Sequence, residues 1–225
     1  MSSSKLIEAF GDDVINFSAS FDCGSSCSFS KLLKLGQDLV NHDFDNKSLI
    51  VAGVSNSKNS IASYLYLLNT GHSIVLTSGK NKKKNLEIAD RLNANTILLP
   101  DEDCSSERLT ILHNDKLNLN PELSILLPTS GSTGASKFAR FTLKNFAENA
   151  ISISSYLELN EKSNALSILP IYYSFGLSIL HSHLVAGGRV NFCEHPLISK
   201  EFTKRAADSN STSFSGIPFH YEMIG

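Results

Sequence analysis

The chain has 225 residues, of which 41% are hydrophobic and 19% are charged. This apolar share excludes a disordered chain, and the length suffices for one large domain or two small ones. Twenty basic residues against 22 acidic residues give a formal net charge of -2, which excludes the basic surplus typical of nucleic-acid-binding proteins.

Two observations predict a cytoplasmic protein without a membrane span. Residues 1–13 contain no long apolar segment, so we expect no secretory signal. The longest uncharged stretch, residues 163–188, is interrupted by Pro170 and Gly176, which favours a buried strand and helix over a membrane helix. The cysteines fit none of the common zinc or redox spacings and are expected as free thiols: Cys23, Cys27, Cys104 and Cys193.

The first half of the chain alternates between helical and strand patterns. β-Branched and leucine-rich runs between turn residues predict strands, and apolar residues at helical spacing after Ser or before Gly predict helices. These patterns predict a helix after Ser28 or Ser30, strands at 49–54, 74–76 and 96–99, and helices from the N-cap Ser57 to Gly71 and over 82–93. Such an order predicts a parallel sheet with right-handed crossovers.

The second half continues the alternation, with strands expected at 123–127, 166–169, 189–192 and 213–215 and helices at 143–157 and 174–185. The fold class is therefore α/β, with parallel sheets flanked by helices. The basic run at residues 80–84 is expected to be a solvated helix start. His181 and His183 lie two apart on a helix and do not share a face, so we expect packing residues and not metal ligands.

A loop rich in glycine and hydroxyl groups follows the apolar strand that ends at Leu127. Its sequence is Pro-Thr-Ser-Gly-Ser-Thr-Gly-Ala-Ser-Lys, residues 128–137. Two glycines allow a sharp turn that brings backbone N–H groups close to an anion, and Lys137 adds a positive charge. Because an apolar strand precedes the loop and a single Lys follows it, a polyphosphate site is favoured over a flexible linker.

The main competing motif for such a loop is the Walker A sequence, Gly-x4-Gly-Lys-Ser/Thr. Aligning Gly131 and Lys137 with it places Ser136 where the second glycine is needed and Phe138 where the magnesium-binding hydroxyl is needed. Both mismatches fall on positions that the phosphate-binding mechanism requires. We therefore reject a P-loop nucleotide hydrolase.

The loop resembles that of a known family. The residues from Thr129 to Gly134, together with Lys137, are similar to the signature loop of the AMP-forming acyl-adenylate synthetases, which include acyl-CoA synthetases and peptide-synthetase adenylation domains. Ser136 and Phe138 depart from the family's usual Pro and Gly. Neither departure removes a phosphate contact, although Phe138 is expected to stiffen or redirect the strand that leaves the loop.

Two further segments carry the same resemblance. Residues 169–177, Leu-Pro-Ile-Tyr-Tyr-Ser-Phe-Gly-Leu, are similar to the family's Leu-Pro-x-x-His-x-x-Gly-Leu segment. Residues 216–218, Gly-Ile-Pro, resemble its Gly-Val-Pro segment, which lines the acyl pocket. The spacing of the three blocks also fits, so the resemblance covers nearly the whole chain.

The resemblance implies ATP-dependent activation of a carboxylic acid as an acyl-adenylate, with release of pyrophosphate. CoA, a carrier-protein thiol or another nucleophile would then displace AMP. Mg²⁺ would bridge the phosphates, with no metal ligand assigned to this chain. The implied residues around the β- and γ-phosphates are Thr129, Ser130, Gly131, Ser132, Thr133 and Gly134, with Lys137 as the assisting catalytic residue. The implied acyl-pocket residues are Tyr173, Ser174, Gly176, Gly216, Ile217 and Pro218.

The substrate class follows from the segment around Tyr173. This residue stands where the family often has His or another aromatic side chain beside the acyl pocket, and the alternative role for it is core packing. Amino-acid-activating members usually carry an Asp nearby, but residues 171–177 contain no acid. Because a buried ammonium without a partner is costly, we expect a carboxylic acid that lacks an α-ammonium group.

Other family blocks are not found in this sequence: those with the magnesium-binding Glu, the ribose-binding Asp and the lysine of the mobile C-terminal domain. We therefore expect residues 1–225 to be an incomplete N-terminal portion of an AMP-binding domain. One α/β subdomain is expected at about 48–160, and part of a second from about 17–47 and 161–225. Alone, this portion is expected to be inactive. The alternative is a non-catalytic remnant or interaction module that retains the fold.

Overall fold

The structure is a computed structural model that describes residues 4–101, 107–129 and 137–224. The helices are α1 (Lys5–Phe10), α2 (Phe29–Val40), α3 (Lys58–Thr70), α4 (Lys82–Leu92), α5 (Leu143–Tyr156), α6 (Ser174–Val185), α7 (Lys200–Asp208) and α8 (Pro218–Ile224), with a 3₁₀ turn at Asp12–Asn16. The strands are β1 (Ser18–Ser20), β2 (Ser26–Ser28), β3 (Leu49–Val54), β4 (Ser73–Ser78), β5 (Thr96–Pro100), β6 (Glu107–Ile111), β7 (Leu123–Pro128), β8 (Phe138–Thr142), β9 (Asn164–Ser167), β10 (Arg189–Phe192) and β11 (Ser213–Ser215).

The described strands form two sheets. The larger sheet has the order β6-β5-β3-β4-β7-β8, and the smaller sheet has the order β11-β9-β10-β1-β2. The inner strands of both sheets are parallel, which confirms the predicted fold class of parallel sheets flanked by helices. The strands β6, β8 and β2 are antiparallel additions at the edges, which the sequence patterns did not predict.

Local signals account for the helix ends that the sequence predicted. The Ser28 hydroxyl accepts a hydrogen bond from the Lys31 N–H at the start of α2, and Ser57 does the same for Ser60 at the start of α3. Gly71 ends α3 with a φ of 85°, a left-handed conformation that glycine adopts without steric cost. These positions agree with the sequence-based expectations.

The strand predicted at residues 166–169 is displaced by two positions, since β9 covers Asn164–Ser167. Its register explains the shift, because Asn164 pairs with Arg189 at the start of β10 and Ser167 pairs with Phe192 at its end. Leu169 has already left the sheet. The sequence patterns predicted the short strand β11 but missed the other short elements, because three-residue strands and helices of only a few turns show too few periods to recognise: α1, β1, β2, α7 and α8.

Helices from both sheets meet in one core around His181 of α6. Its Nε2 atom lies 2.8 Å from the hydroxyl oxygen of Tyr64 on α3. The rings of Phe10 on α1 and Phe146 on α5 pack edge-on against the imidazole, each with a centroid distance of 5.2 Å. His181 is therefore a core residue, as its spacing from His183 indicated. The described residues contain no cluster of three or more His, Cys, Asp or Glu side chains suited to a metal ion.

Burial of this imidazole should make the free energy of unfolding depend on pH. Burial lowers the pKa of His181 from its ordinary 6.5 to about 3. Between these values the unfolded chain binds a proton that the folded chain does not, so stability falls as the pH falls. We expect a loss of about 1.4 kcal/mol per pH unit from this residue between roughly pH 6 and pH 4.

Urea unfolding at pH 7.5 and pH 5.0 measures this loss. His181→Gln should show a smaller pH dependence than the wild-type protein. Tyr64→Phe is the matched control, because it removes the hydrogen bond but leaves the titrating ring, so it should lower stability at both pH values and keep the full pH dependence. Equal pH dependence in the wild-type protein and His181→Gln would contradict the prediction.

Three smaller expectations also have outcomes. The lysines of the run at residues 80–84 are exposed where α4 begins, as predicted. The cysteines in the described part of the chain are free thiols: Cys23, Cys27 and Cys193. Cys104 lies outside the described residues. Across residues 4–101, 107–129 and 137–224, no helix is long and apolar enough to cross a membrane.

Candidate functional site

The carboxyl edges of the two sheets meet where β3 and β9 end. Asn56 follows β3 of the larger sheet, and its side-chain Nδ2 donates a hydrogen bond to the carbonyl oxygen of Leu169, at 3.2 Å. The N–H of Ile171 donates to Asn56 Oδ1, also at 3.2 Å. Ligands of open α/β sheets bind in the crevice beyond the carboxyl ends of the strands, so this junction is the candidate site.

At the same edge of the larger sheet, β7 and β8 hold the two ends of the predicted phosphate loop together. Pro128 pairs with Phe138 across the antiparallel strands. Next to this pair, the N–H of Thr129 donates to the carbonyl oxygen of Lys137 at 2.9 Å, and the Thr129 hydroxyl donates to the same oxygen at 3.2 Å. The backbone of Lys137 is thereby fixed to the end of a buried strand, while its side chain is exposed.

In the described geometry, Thr129 has a structural role at the base of the loop. Both of its hydrogens, on the amide and on the hydroxyl, point to the carbonyl oxygen of Lys137. In this conformation the residue closes the base of the loop and has no hydrogen left to donate to a phosphate. The other residues expected around the phosphates lie outside the described residues: Ser130, Gly131, Ser132, Thr133 and Gly134.

Phe138, one of the two departures from the family's loop, is anchored in the structure. Its side chain packs against a core cluster on one face of the larger sheet. The guanidinium carbon of Arg91, on α4, lies 5.6 Å from the centre of the ring, within the range of a cation–π interaction. A packed aromatic side chain directly after Lys137 restrains the strand that leaves the loop, in the way the sequence led us to expect.

Tyr173 is exposed at the start of α6. Its side chain is 58% exposed, which rules out the alternative role in core packing. Its ring lies 4.6 Å from that of Tyr172, which is half-buried. Ser174 begins α6 as predicted, and its carbonyl oxygen accepts a hydrogen bond from the Ser178 hydroxyl. This segment thus presents the two adjacent tyrosine rings together with the exposed side chains of Ser174 and Phe175.

Gly176 allows the first turn of α6 to lie directly on the segment that carries these tyrosines. A Cβ atom at this position would be 2.6 Å from the carbonyl oxygen of Leu169, and it would also clash with the carbonyl oxygen of Pro170. Real Cβ atoms do not approach backbone oxygens this closely. The glycine is therefore required by packing.

The segment from Gly216 to Pro218 leaves the carboxyl end of β11, the neighbour of β9 in the smaller sheet. Ser215 pairs with Ser167, so Gly216 follows at the same edge as residues 169–173, which we call the tyrosine segment. The N–H of Gly216 donates to the hydroxyl of Tyr221 at 3.2 Å, which ties the segment to α8. Pro218 is the first residue of α8, a position where a missing N–H costs nothing.

The structure thus places the described candidate residues in two groups. Thr129 and Lys137 lie at the carboxyl edge of the larger sheet, and the segments around Tyr173 and Gly216 lie at the carboxyl edge of the smaller one. Asn56 joins the two edges, and sequence analysis missed it. The available signal was its position directly after a fully buried parallel strand.

Comparisons with known proteins agree with this architecture. The sequence profile of a family described as AMP-binding enzyme matches residues 57–224. The 2-succinylbenzoate–CoA ligase of Staphylococcus aureus (strain Newman) is 33% identical over 101 residues, which represent 45% of this chain and 19% of that protein.

Solved structures show the same fold. Apo MatB from Rhodopseudomonas palustris has a TM-score of 0.75 at 17% identity, covering 100% of this chain and 51% of its own. An E. coli MenE variant with bound OSB-AMS has a TM-score of 0.71 at 20% identity, covering 92% of this chain and 48% of its own. The chain therefore spans about half the length of these solved proteins.

Proposed function

Since this chain belongs to the AMP-binding enzyme family, we propose that the protein in its natural full length activates a carboxylic acid with ATP. The observation that carries the proposal is the junction of the two sheets. There, a loop closed by Thr129 and Lys137 ends one sheet, and the exposed tyrosine segment follows the end of the other. One edge suits the phosphates of a nucleotide, and the other suits an organic acid.

The proposed reaction is a displacement at the α-phosphorus of ATP. A carboxylate oxygen of the acid forms a bond to that phosphorus, the bond to the bridging oxygen of the β-phosphate breaks, and pyrophosphate leaves with the electron pair. The acyl-adenylate that forms is then attacked by a thiol of CoA or of a carrier protein, or by another nucleophile, and AMP is released. No covalent bond to the protein is needed, so positioning and charge neutralisation are its tasks.

In this proposal, the described residues have separate roles. The Lys137 ammonium neutralises charge on the β- and γ-phosphates, and Thr129 holds the Lys137 backbone in place. Residues 130–134, which lie outside the described part of the chain, are proposed to contact the same phosphates. Mg²⁺ bound to the phosphates would supply further charge neutralisation.

The acid is proposed to bind against Tyr172 and Tyr173, with Ser174, Gly176 and residues 216–218 completing the wall. The segment from Ile171 to Leu177 has no acidic side chain to pair with an α-ammonium group. A carboxylic acid without that group therefore fits better than an α-amino acid.

We also propose the domain division expected from the sequence, with one α/β subdomain at about 48–160 and part of a second from about 17–47 and 161–225. All strands of the larger sheet come from residues 49–142, which supports this division.

One specific observation favours a second candidate function, an interaction module that retains the fold. Large apolar side chains are exposed along α8 and the residue before it: Ile217, Phe219, Tyr221 and Met223. Phe219 and Met223 are four residues apart and therefore share one face of α8, and exposed apolar side chains on a shared face mark interaction surfaces. In this reading the chain would associate with a second copy through that face and would catalyse nothing.

Carboxylate-dependent exchange of labelled pyrophosphate into ATP tests the proposed activity. The full-length protein should catalyse exchange with at least one acid from a panel of aromatic, dicarboxylic and fatty acids, and none with α-amino acids. Omission of the acid is the control. ATP hydrolysis to ADP without any acid would revive a nucleotide hydrolase, and a lack of exchange together with a concentration-dependent mass in light scattering would favour the interaction module.

A further inference from the structure

Asn56 holds the backbone of the tyrosine segment with both ends of its side-chain amide. The Nδ2 group donates to the Leu169 carbonyl, and the Oδ1 atom accepts from the Ile171 N–H, each at 3.2 Å. The side chain is 5% exposed, so water does not compete for these bonds. One donor and one acceptor on a planar group determine both the position and the orientation of the backbone that they grip.

The segment needs this support because it has already left the smaller sheet. The last pairings of β9 are those of Ser167, with Phe192 on one side and Ser215 on the other. Beyond them, the Leu169 carbonyl and the Ile171 N–H are in the interior without a strand partner. A buried backbone group without a hydrogen bond costs about 1–3 kcal/mol, so Asn56 replaces the missing strand.

The backbone of Asn56 is also held in place by a hydrogen bond. Its N–H donates to Glu194 Oε1 at 3.0 Å, and the N–H of Glu194 donates to Asp22 Oδ2 at 2.7 Å. Glu194 follows β10, and Asp22 lies in the turn between β1 and β2. Both the backbone and the side-chain amide of Asn56, which follows a strand of the larger sheet, are therefore bonded to segments that follow strands of the smaller sheet.

We propose that Asn56 is a positioning residue for the acid substrate. It holds residues 169–171 so that Tyr172 and Tyr173 face the acid in a fixed place, and it links this segment to the sheet that carries the loop between Thr129 and Lys137. The inference rests on the proposed function. In a reaction between two bound substrates, a misplacement of about 1 Å of one of them can cost roughly a hundredfold in rate.

The chain offers a matched control in Asn95, another buried asparagine at the opposite end of β3. Its Oδ1 accepts from the Leu49 N–H at 3.0 Å, and its Nδ2 donates to the Asp115 carbonyl at 2.8 Å. It is 7% exposed, against 5% for Asn56. Replacing either residue with alanine removes two hydrogen bonds to backbone groups, but only the bonds of Asn56 are made to the candidate site.

Amide hydrogen exchange of the full-length protein tests the contact itself. In Asn56→Ala, the Ile171 amide should exchange about tenfold faster, as expected for the loss of one buried hydrogen bond, while the Leu49 amide keeps its rate. In Asn95→Ala the pattern should be reversed. Asn56→Asp keeps the acceptor and should protect the Ile171 amide better than alanine does. An unchanged Ile171 rate in Asn56→Ala would overturn the proposal.

Pyrophosphate exchange kinetics test the role toward the substrate. Asn56→Ala should raise the KM for the acid about tenfold and change the KM for ATP less than about twofold, whereas Asn95→Ala should change neither beyond about twofold. Equal effects of the two variants would mean that Asn56 is only structural, and the proposal would fail. If the wild-type protein activates no acid while the amide exchange behaves as stated, the proposed function fails, and the role toward the substrate fails with it.

Discussion

Replacing Lys137 with alanine should lower the kcat/KM for ATP in acid-dependent pyrophosphate exchange by about a hundredfold. The physical reason is the loss of one fixed positive charge next to the phosphates where negative charge develops in the transition state, an effect worth roughly 3 kcal/mol. The substitution should remove the charge without disturbing the local backbone, because Thr129 binds the backbone carbonyl of Lys137 and not its side chain. The hydrogen bonds from Thr129 to the backbone of residue 137 should therefore persist in the variant.

Lys144→Ala is the control for this measurement. Lys144 is an exposed lysine on the following helix, paired with Glu148 at 3.8 Å, and an exposed pair of this kind contributes little. Its replacement should leave the exchange rate within about twofold of the wild-type rate. Lys137→Arg should recover part of the activity by keeping the charge. Unchanged exchange in Lys137→Ala would remove Lys137 from the proposed mechanism.

Replacing Gly176 with alanine should damage both stability and recognition of the acid. The new methyl group would clash with the carbonyl oxygens of Leu169 and Pro170, so α6 and the tyrosine segment would have to move apart. Overpacking of this kind costs about 1–3 kcal/mol, which corresponds to a decrease of about 2–12 °C in Tm for a domain of this size. We expect the KM for the acid to rise about tenfold, because Tyr172 and Tyr173 shift with the segment.

Gly36→Ala separates these two effects. A Cβ atom at Gly36, on α2, would clash with the Ala62 carbonyl oxygen of α3 and would be 2.6 Å from Tyr66 Cβ. The packing conflict is similar, but it lies between two helices away from the tyrosine segment. Thermal unfolding should therefore show a comparable loss in both variants, and only Gly176→Ala should raise the KM for the acid. A normal KM in Gly176→Ala would show that the first turn of α6 does not set the acid site.

Elements with several periods of pattern or a clear cap could be predicted from sequence. The buried run of β3 and the start and end of α6 match the structure residue by residue. The segment around β9 could not be placed correctly from its apolar run alone. Its bounds depend on the pairing of Asn164 with Arg189, two residues that are 25 positions apart in sequence, and a local pattern carries no information about such a partner.

The features of the candidate site were likewise only partly predictable from the sequence. The sequence by itself determined the residue types at the end of β7, the absence of an acid from residues 171–177 and the fold class, because these depend on local chemistry and periodicity. Only the tertiary structure decided that Tyr173 is exposed, that Thr129 closes the loop onto Lys137, and that the two sheet edges meet through one amide. Asn56 and Ile171 are 115 residues apart, and only the packing of two sheets brings them within hydrogen-bonding distance.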